Sequence, residues 1–158
     1  MAQINVQNLT FSYEGNSENI FENVNLIFDT DWKLGLIGRN GRGKTTFLNL
    51  LLGKYIYSGK ITKSVNVDYF PFEVSDKNKP TLDVIASVYS DYELWKIIKN
   101  LNELELDDGC IYQEFNTLSN GEQTKVLLAT LFSKDNNFLL IDEPTNHLDY
   151  NSREAVKK

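Results

Sequence analysis

Apolar and polar residues partly alternate through INVQNLTFSY and again through NVNLIF, and the polar turn EGNSEN separates the two runs. That period of two predicts a pair of short half-exposed strands and an antiparallel start to the fold. LGLI, from Leu34 to Ile37, is a compact apolar strand. It runs into a glycine-rich loop and then into TTFLNLLLG, where Gly53 reads as the C-terminal cap of a helix. GKIT and VNVDYF are two further strand candidates, and PFEVSDKNKP, with a proline at each end, reads as a loop. From Leu82 to Leu106 the period changes to that of a helix, with Leu94, Ile97, Ile98, Leu101 and Leu104 three or four apart. A last helix from about Gly121 to Phe132 leads into FLLI, an uninterrupted apolar run that predicts a parallel strand buried on both faces. No internal repeat or low-complexity tract interrupts this order.

Composition narrows what such a chain does. Its 158 residues suffice for one domain with a real core. Sixteen basic and 22 acidic residues leave a net charge of -6, which argues against a sequence-independent grip on a polyanion by this segment. The longest apolar runs, FLNLLL and VLLATLF, are far shorter than the roughly 20 residues that span a bilayer, so no membrane insertion is expected. A start without an apolar leader, and a single cysteine, Cys110, point to a reducing, cytoplasmic location.

Candidate chemistry begins at GRNGRGKT, Gly38 to Thr45, which matches the P-loop pattern G-x-x-x-x-G-K-[ST] between a predicted strand and a predicted helix. Gly38, Asn40, Gly41 and Gly43 belong to a loop whose backbone N–H groups must crowd around phosphates, and the helix start adds donors and a favourable dipole. Lys44 is expected to reach the β- and γ-phosphates of a nucleotide, and the Thr45 hydroxyl to hold Mg²⁺. A chance glycine-rich turn is the alternative. Asp142 follows FLLI at the end of a buried strand, where P-loop ATPases place the carboxylate that supports the metal. Glu143, one residue on, is assigned as the general base that takes a proton from attacking water. An ordinary strand-ending turn with solvated acids would also read DEP. In LSNGEQ, Ser119 and Glu122 have capping-box spacing, so the segment is first a helix start and, as such, also a place for an anion.

A P-loop, a helical insert, LSNGEQ and FLLIDEP, in that order and near that spacing, resemble the ATP-binding cassette family over essentially the whole chain. The resemblance implies an α/β fold: a P-loop NTPase core of the ABC ATPase kind, with an N-terminal antiparallel β-subdomain and a small helical insert. Residues 1–158 would form one incomplete cassette domain, the insert covering about 80–132. It implies that a second cassette closes head to tail on this one, so that Ser119 and Gly121 contact ATP held by the partner cassette, while Thr46 serves the local ATP with Lys44 and Thr45. Tyr13 matches the aromatic that stacks on adenine, although a plain sheet aromatic reads the same way. DEPTNHLD, the P-loop variant GRNGRGKTT, LSNGEQTKVLLA and YFPF are similar to the ABC-F proteins, soluble twin-cassette ATPases of the ribosome, and to their branch that protects bacterial ribosomes from antibiotics.

Some positions depart from the family pattern. Asn120 stands where the common signature has a second glycine, and Phe72 stands where a glutamine would reach metal and water. Phenylalanine has no ligand atom, so no catalytic role passes to it, and Glu73 is the nearest substitute. His147 lies in NHLD, a loop expected at the contact with the opposite cassette, and is not the family's switch histidine. That histidine is expected beyond a further strand, so the chain resembles the N-terminal part of a first cassette, truncated before the switch-histidine strand, with Leu34 to Ile37 left as an exposed edge. Two other functions fit the same motifs: the nucleotide-binding subunit of a membrane transporter, and a nucleotide-binding fragment that does not hydrolyse ATP.

Overall fold

The computed structural model describes residues 3–30, 34, 36 and 41–142. They fall into two compact units, one from the first 68 residues with Asn136–Leu140, the other from Tyr69–Asp135 with the residues from Ile141 on.

In the first unit the predicted antiparallel start is present. Strand β1 (Gln3–Phe11) pairs antiparallel with β2 (Phe21–Asp29) on one side and with β3 (Ser58–Lys63) on the other. The buried residues of β1 are Ile4 and Val6, then Leu9 and Phe11. Strict alternation would have sent the second pair to solvent. A bulge after Val6 resets the phase: Asn8 takes a left-handed φ of 49°, and its N–H is held by the Asn25 side chain at 2.9 Å. Gly59 crosses at this point with φ of +100°, and a Cβ there would lie 2.4 Å from the Asn8 carbonyl oxygen. Only glycine lets the two backbones approach that closely.

Helix α1 (Lys44–Leu51) ends as the sequence predicts. Gly53, with φ of +77°, donates to Leu50, and Lys54 donates to Asn49, the paired bonds of a Schellman motif. The Lys63 ammonium also donates to the Leu51 carbonyl at 2.7 Å, a cation at the negative end of the helix. Strand β4 (Asn66–Phe70) pairs with β5 (Asn137–Ile141). The FLLI run is less enclosed than its composition predicts, since only Leu140 of β5 is fully buried. Among the described residues β5 has one strand neighbour, and burial on both faces needs more. Of the predicted strand Leu34 to Ile37, only Leu34 and Leu36 are described, both exposed and outside any strand, and the rest lies outside the described residues.

The second unit is helical. The helical pattern from Leu82 to Leu106 is carried by two helices, α2 (Thr81–Val88) and α3 (Leu94–Glu103). Ser90 and Asp91 between them form a turn. Ile97 and Leu101 of α3 are fully buried against α4 (Asn120–Phe132), and Asn100 donates to the Ala129 carbonyl at 3.1 Å. Two short 3₁₀ turns at 108–112 and 115–117 connect them and bury Ile111 and Phe115 completely. Helix α3 ends in a second Schellman pair, with Glu105 in the left-handed position at φ of 56° and the buried Leu106 bonded back to Leu101.

Candidate nucleotide site

Gly43 is the N-cap of α1, in a left-handed conformation at φ of 85°, and no side chain caps that end. A Cβ at Gly43 would meet the Ile20 methyl at 2.9 Å and the Phe21 ring at 3.1 Å. The loop can therefore turn into the helix here only with glycine. Lys44, Thr45 and Thr46 form the first turn, which contains no acidic residue. Backbone donors and the positive helix end thus meet no carboxylate of their own turn, the local chemistry an anion requires. Gly41 also has positive φ, at 78°. Gly38 and Asn40 lie outside the described residues, as do Glu143 and His147.

Tyr13 sits above this turn. Its hydroxyl lies 2.8 Å from the Thr46 hydroxyl, and its ring packs edge-on against Phe11 and Tyr55, at 5.0 and 5.7 Å between centroids. Interaction with the Tyr13 hydroxyl holds the Tyr55 phenol above its ordinary range. The Tyr13–Thr46 bond and the part played by Tyr55 were not legible in the sequence, which offers only aromatic residues in a region of strand and turn.

In the second unit, Asp142 directly follows β5. Its N–H donates to the Phe70 carbonyl at 2.8 Å, and its Oδ2 accepts from the Tyr69 hydroxyl at 3.1 Å. Tyr69 is the residue here that sequence reasoning missed; its only signal was its place in YFPF, two residues before the proline. Phe72 packs edge-on to Phe70 at 6.2 Å. Ser119 is the N-cap of α4 and closes a complete capping box: its hydroxyl accepts from the Glu122 N–H at 3.3 Å, and the Glu122 carboxylate accepts from the Ser119 N–H at 2.7 Å. Those bonds from Ser119 lower the Glu122 pKa. Gly121 lies within the first turn of α4.

Thr45 and Asp142 offer hydroxyl and carboxylate oxygens, hard donors that suit Mg²⁺. Among the described residues no group of three or more His, Cys, Asp or Glu side chains could hold a metal by itself. The Thr45 hydroxyl and the Asp142 carboxylate are each, taken singly, a donor of the kind Mg²⁺ accepts beside phosphate oxygens and water. Also among the described residues, no helix is long and apolar enough to cross a membrane.

Comparison with known proteins agrees with this local chemistry. Residues 21–146 match the ABC transporter family. An uncharacterized ABC transporter ATP-binding protein of Bacillus subtilis, YfmM, is 34% identical over 85% of this chain and 27% of its own length. The ABC transporter ATP-binding protein ARB1 of Saccharomyces cerevisiae is 32% identical over 89% of this chain and 25% of its own. The ribosome protection protein VmlR of Bacillus subtilis is 30% identical over 98% of this chain and 28% of its own. The chain thus spans about a quarter of the length of these curated relatives. Among solved structures, one described as a metal-chelate type ABC transporter in an inward-facing conformation superposes with a TM-score of 0.77 at 28% identity, covering 98% of this chain and 65% of that one.

Proposed function

The chain belongs to the ABC transporter family of ATPases, and from that premise we propose that it binds ATP with Mg²⁺ at α1 and takes part in its hydrolysis to ADP and phosphate. The observation that carries this reading is the helix start at Gly43, which has no side-chain cap and no acid in its first turn. Lys44 reaches the terminal phosphates, Thr46 lies deeper in the same site, and Tyr13 offers its ring face to the adenine. The Thr45 hydroxyl and the Asp142 carboxylate are the groups that the P-loop and FLLID motifs each assign to the metal, and each would hold it as an oxygen ligand. A bound Mg²⁺ would supply positive charge to offset the charge that develops on the phosphates during hydrolysis. Glu143 takes the proton of the attacking water. Ser119 and Gly121 serve the nucleotide of a second cassette, and the two compact units are parts of one cassette domain.

The finer reading is a soluble ABC-F cassette that works in the cytoplasm on the ribosome, as part of a protein that protects it from antibiotics. NHLD and the similarity to VmlR support it. Likeness to a transporter structure supports the nucleotide-binding subunit of a transporter as the second reading.

Lys44→Ala is expected to abolish MgATP binding in isothermal titration while leaving thermal unfolding unchanged. Retained affinity in that variant would remove the phosphate site from α1. Co-sedimentation of the ATP-bound Glu143→Gln protein separates the two cellular roles: ribosomes support the ABC-F reading, membranes the transporter reading.

A further inference from the structure

We propose that Tyr69 is a positioning residue for Asp142, orienting the carboxylate that would hold the metal; this rests on the reading of Asp142 as a metal ligand. Two adjacent residues at the end of β4 grip Asp142 in different ways. The Phe70 carbonyl receives its backbone N–H at 2.8 Å, which sets where the residue leaves β5. The Tyr69 hydroxyl donates to Oδ2 at 3.1 Å, which sets how the carboxylate is turned. Backbone and side chain are thus anchored by one strand end, 73 residues away along the sequence.

The chemistry is selective. A phenol hydroxyl that donates to one carboxylate oxygen restricts how the carboxylate can turn. Groups that hydrogen-bond a metal's carboxylate ligand orient it and raise its affinity for the ion. Phe72, two residues beyond Phe70, brings no ligand atom and packs on the Phe70 ring. What this strand end contributes to the metal is therefore a hydroxyl that acts through Asp142.

Tyr69→Phe deletes the hydroxyl and keeps the ring. With Mn²⁺ as the probe and ATP present, electron paramagnetic resonance of free Mn²⁺ is expected to show affinity about tenfold weaker than in the parent chain. ATP affinity in EDTA and the unfolding temperature are expected to stay unchanged, which a general loss of packing would not allow. Asp142→Asn should weaken Mn²⁺ more, and adding Tyr69→Phe to it should weaken Mn²⁺ no further. Unchanged Mn²⁺ affinity in Tyr69→Phe, with loss in Asp142→Asn, would overturn the proposal and leave Asp142 as the ligand. No change in either variant would overturn both. A matching fall in metal-free ATP affinity would also overturn it, since the tyrosine would then be supporting the fold.

Discussion

Helices α1 and α4 begin with the same problem, backbone N–H groups that no earlier turn can accept, and they solve it in opposite ways. Helix α4 satisfies itself: Ser119 and Glu122 exchange hydrogen bonds, and a carboxylate lies against the positive end of the helix. Helix α1 has a glycine cap in a left-handed turn and neither a capping side chain nor an acid in its first turn. A helix start built for stability supplies its own anion. The start of α1 is shaped by backbone geometry instead, and its sequence signature is glycine rather than serine.

The most severe way to break the contrast is at the glycine. Gly43→Ala forces an L-residue into φ of 85° and presses a methyl group to within 2.9 Å of Ile20. Left-handed strain of about 1–2 kcal/mol and overpacking of about 1–3 kcal/mol should together cost about 2–5 kcal/mol in urea unfolding, with ATP affinity lost as well. Stability equal to the parent would mean that the turn at Gly43 tolerates a side chain. At the other helix start, Ser119→Ala should cost about 1 kcal/mol, the usual effect of removing a serine cap, read by the same unfolding curve. No loss would mean that the capping box contributes nothing that water cannot replace.

The helix ends sharpen the comparison. Both α1 and α3 close in a Schellman pair, but α1 places Gly53 in the left-handed position and α3 places the exposed Glu105 there. Glu105→Gly should relieve that strain and raise stability by about 0.5–1 kcal/mol, whereas Gly53→Ala should lower it. The smallest effect concerns Glu122. Its bonds to Ser119 depress its pKa, so its contribution is present above the unfolded value of about 4.3 and is lost as pH falls through the folded value. The melting temperature of the parent should therefore fall more steeply on acidification below about pH 4.3 than that of Glu122→Gln. Parallel curves would show that the carboxylate's bonds to Ser119 do not persist in solution.

Local rules made much of this molecule readable before folding. The Ser119–Glu122 spacing announced a capping box and Gly53 announced a helix end, because each depends on residues within a few positions of one another. Burial of β5 was read less well. It depends on how many strands lie beside FLLI, which hydrophobic periodicity does not record.

By itself, then, the sequence determined the end of α1 at Gly53, the capped start of α4, and the family of ATPases to which the chain is related. Tertiary structure alone decided that Tyr13 would bond Thr46 across 33 residues and that Tyr69 would bond Asp142 across 73. The physical reason is one of range. Caps and turns are fixed by the dihedral angles and hydrogen bonds of neighbouring residues, whereas a hydroxyl finds a distant partner only after strand pairing and core packing have brought both to the same place.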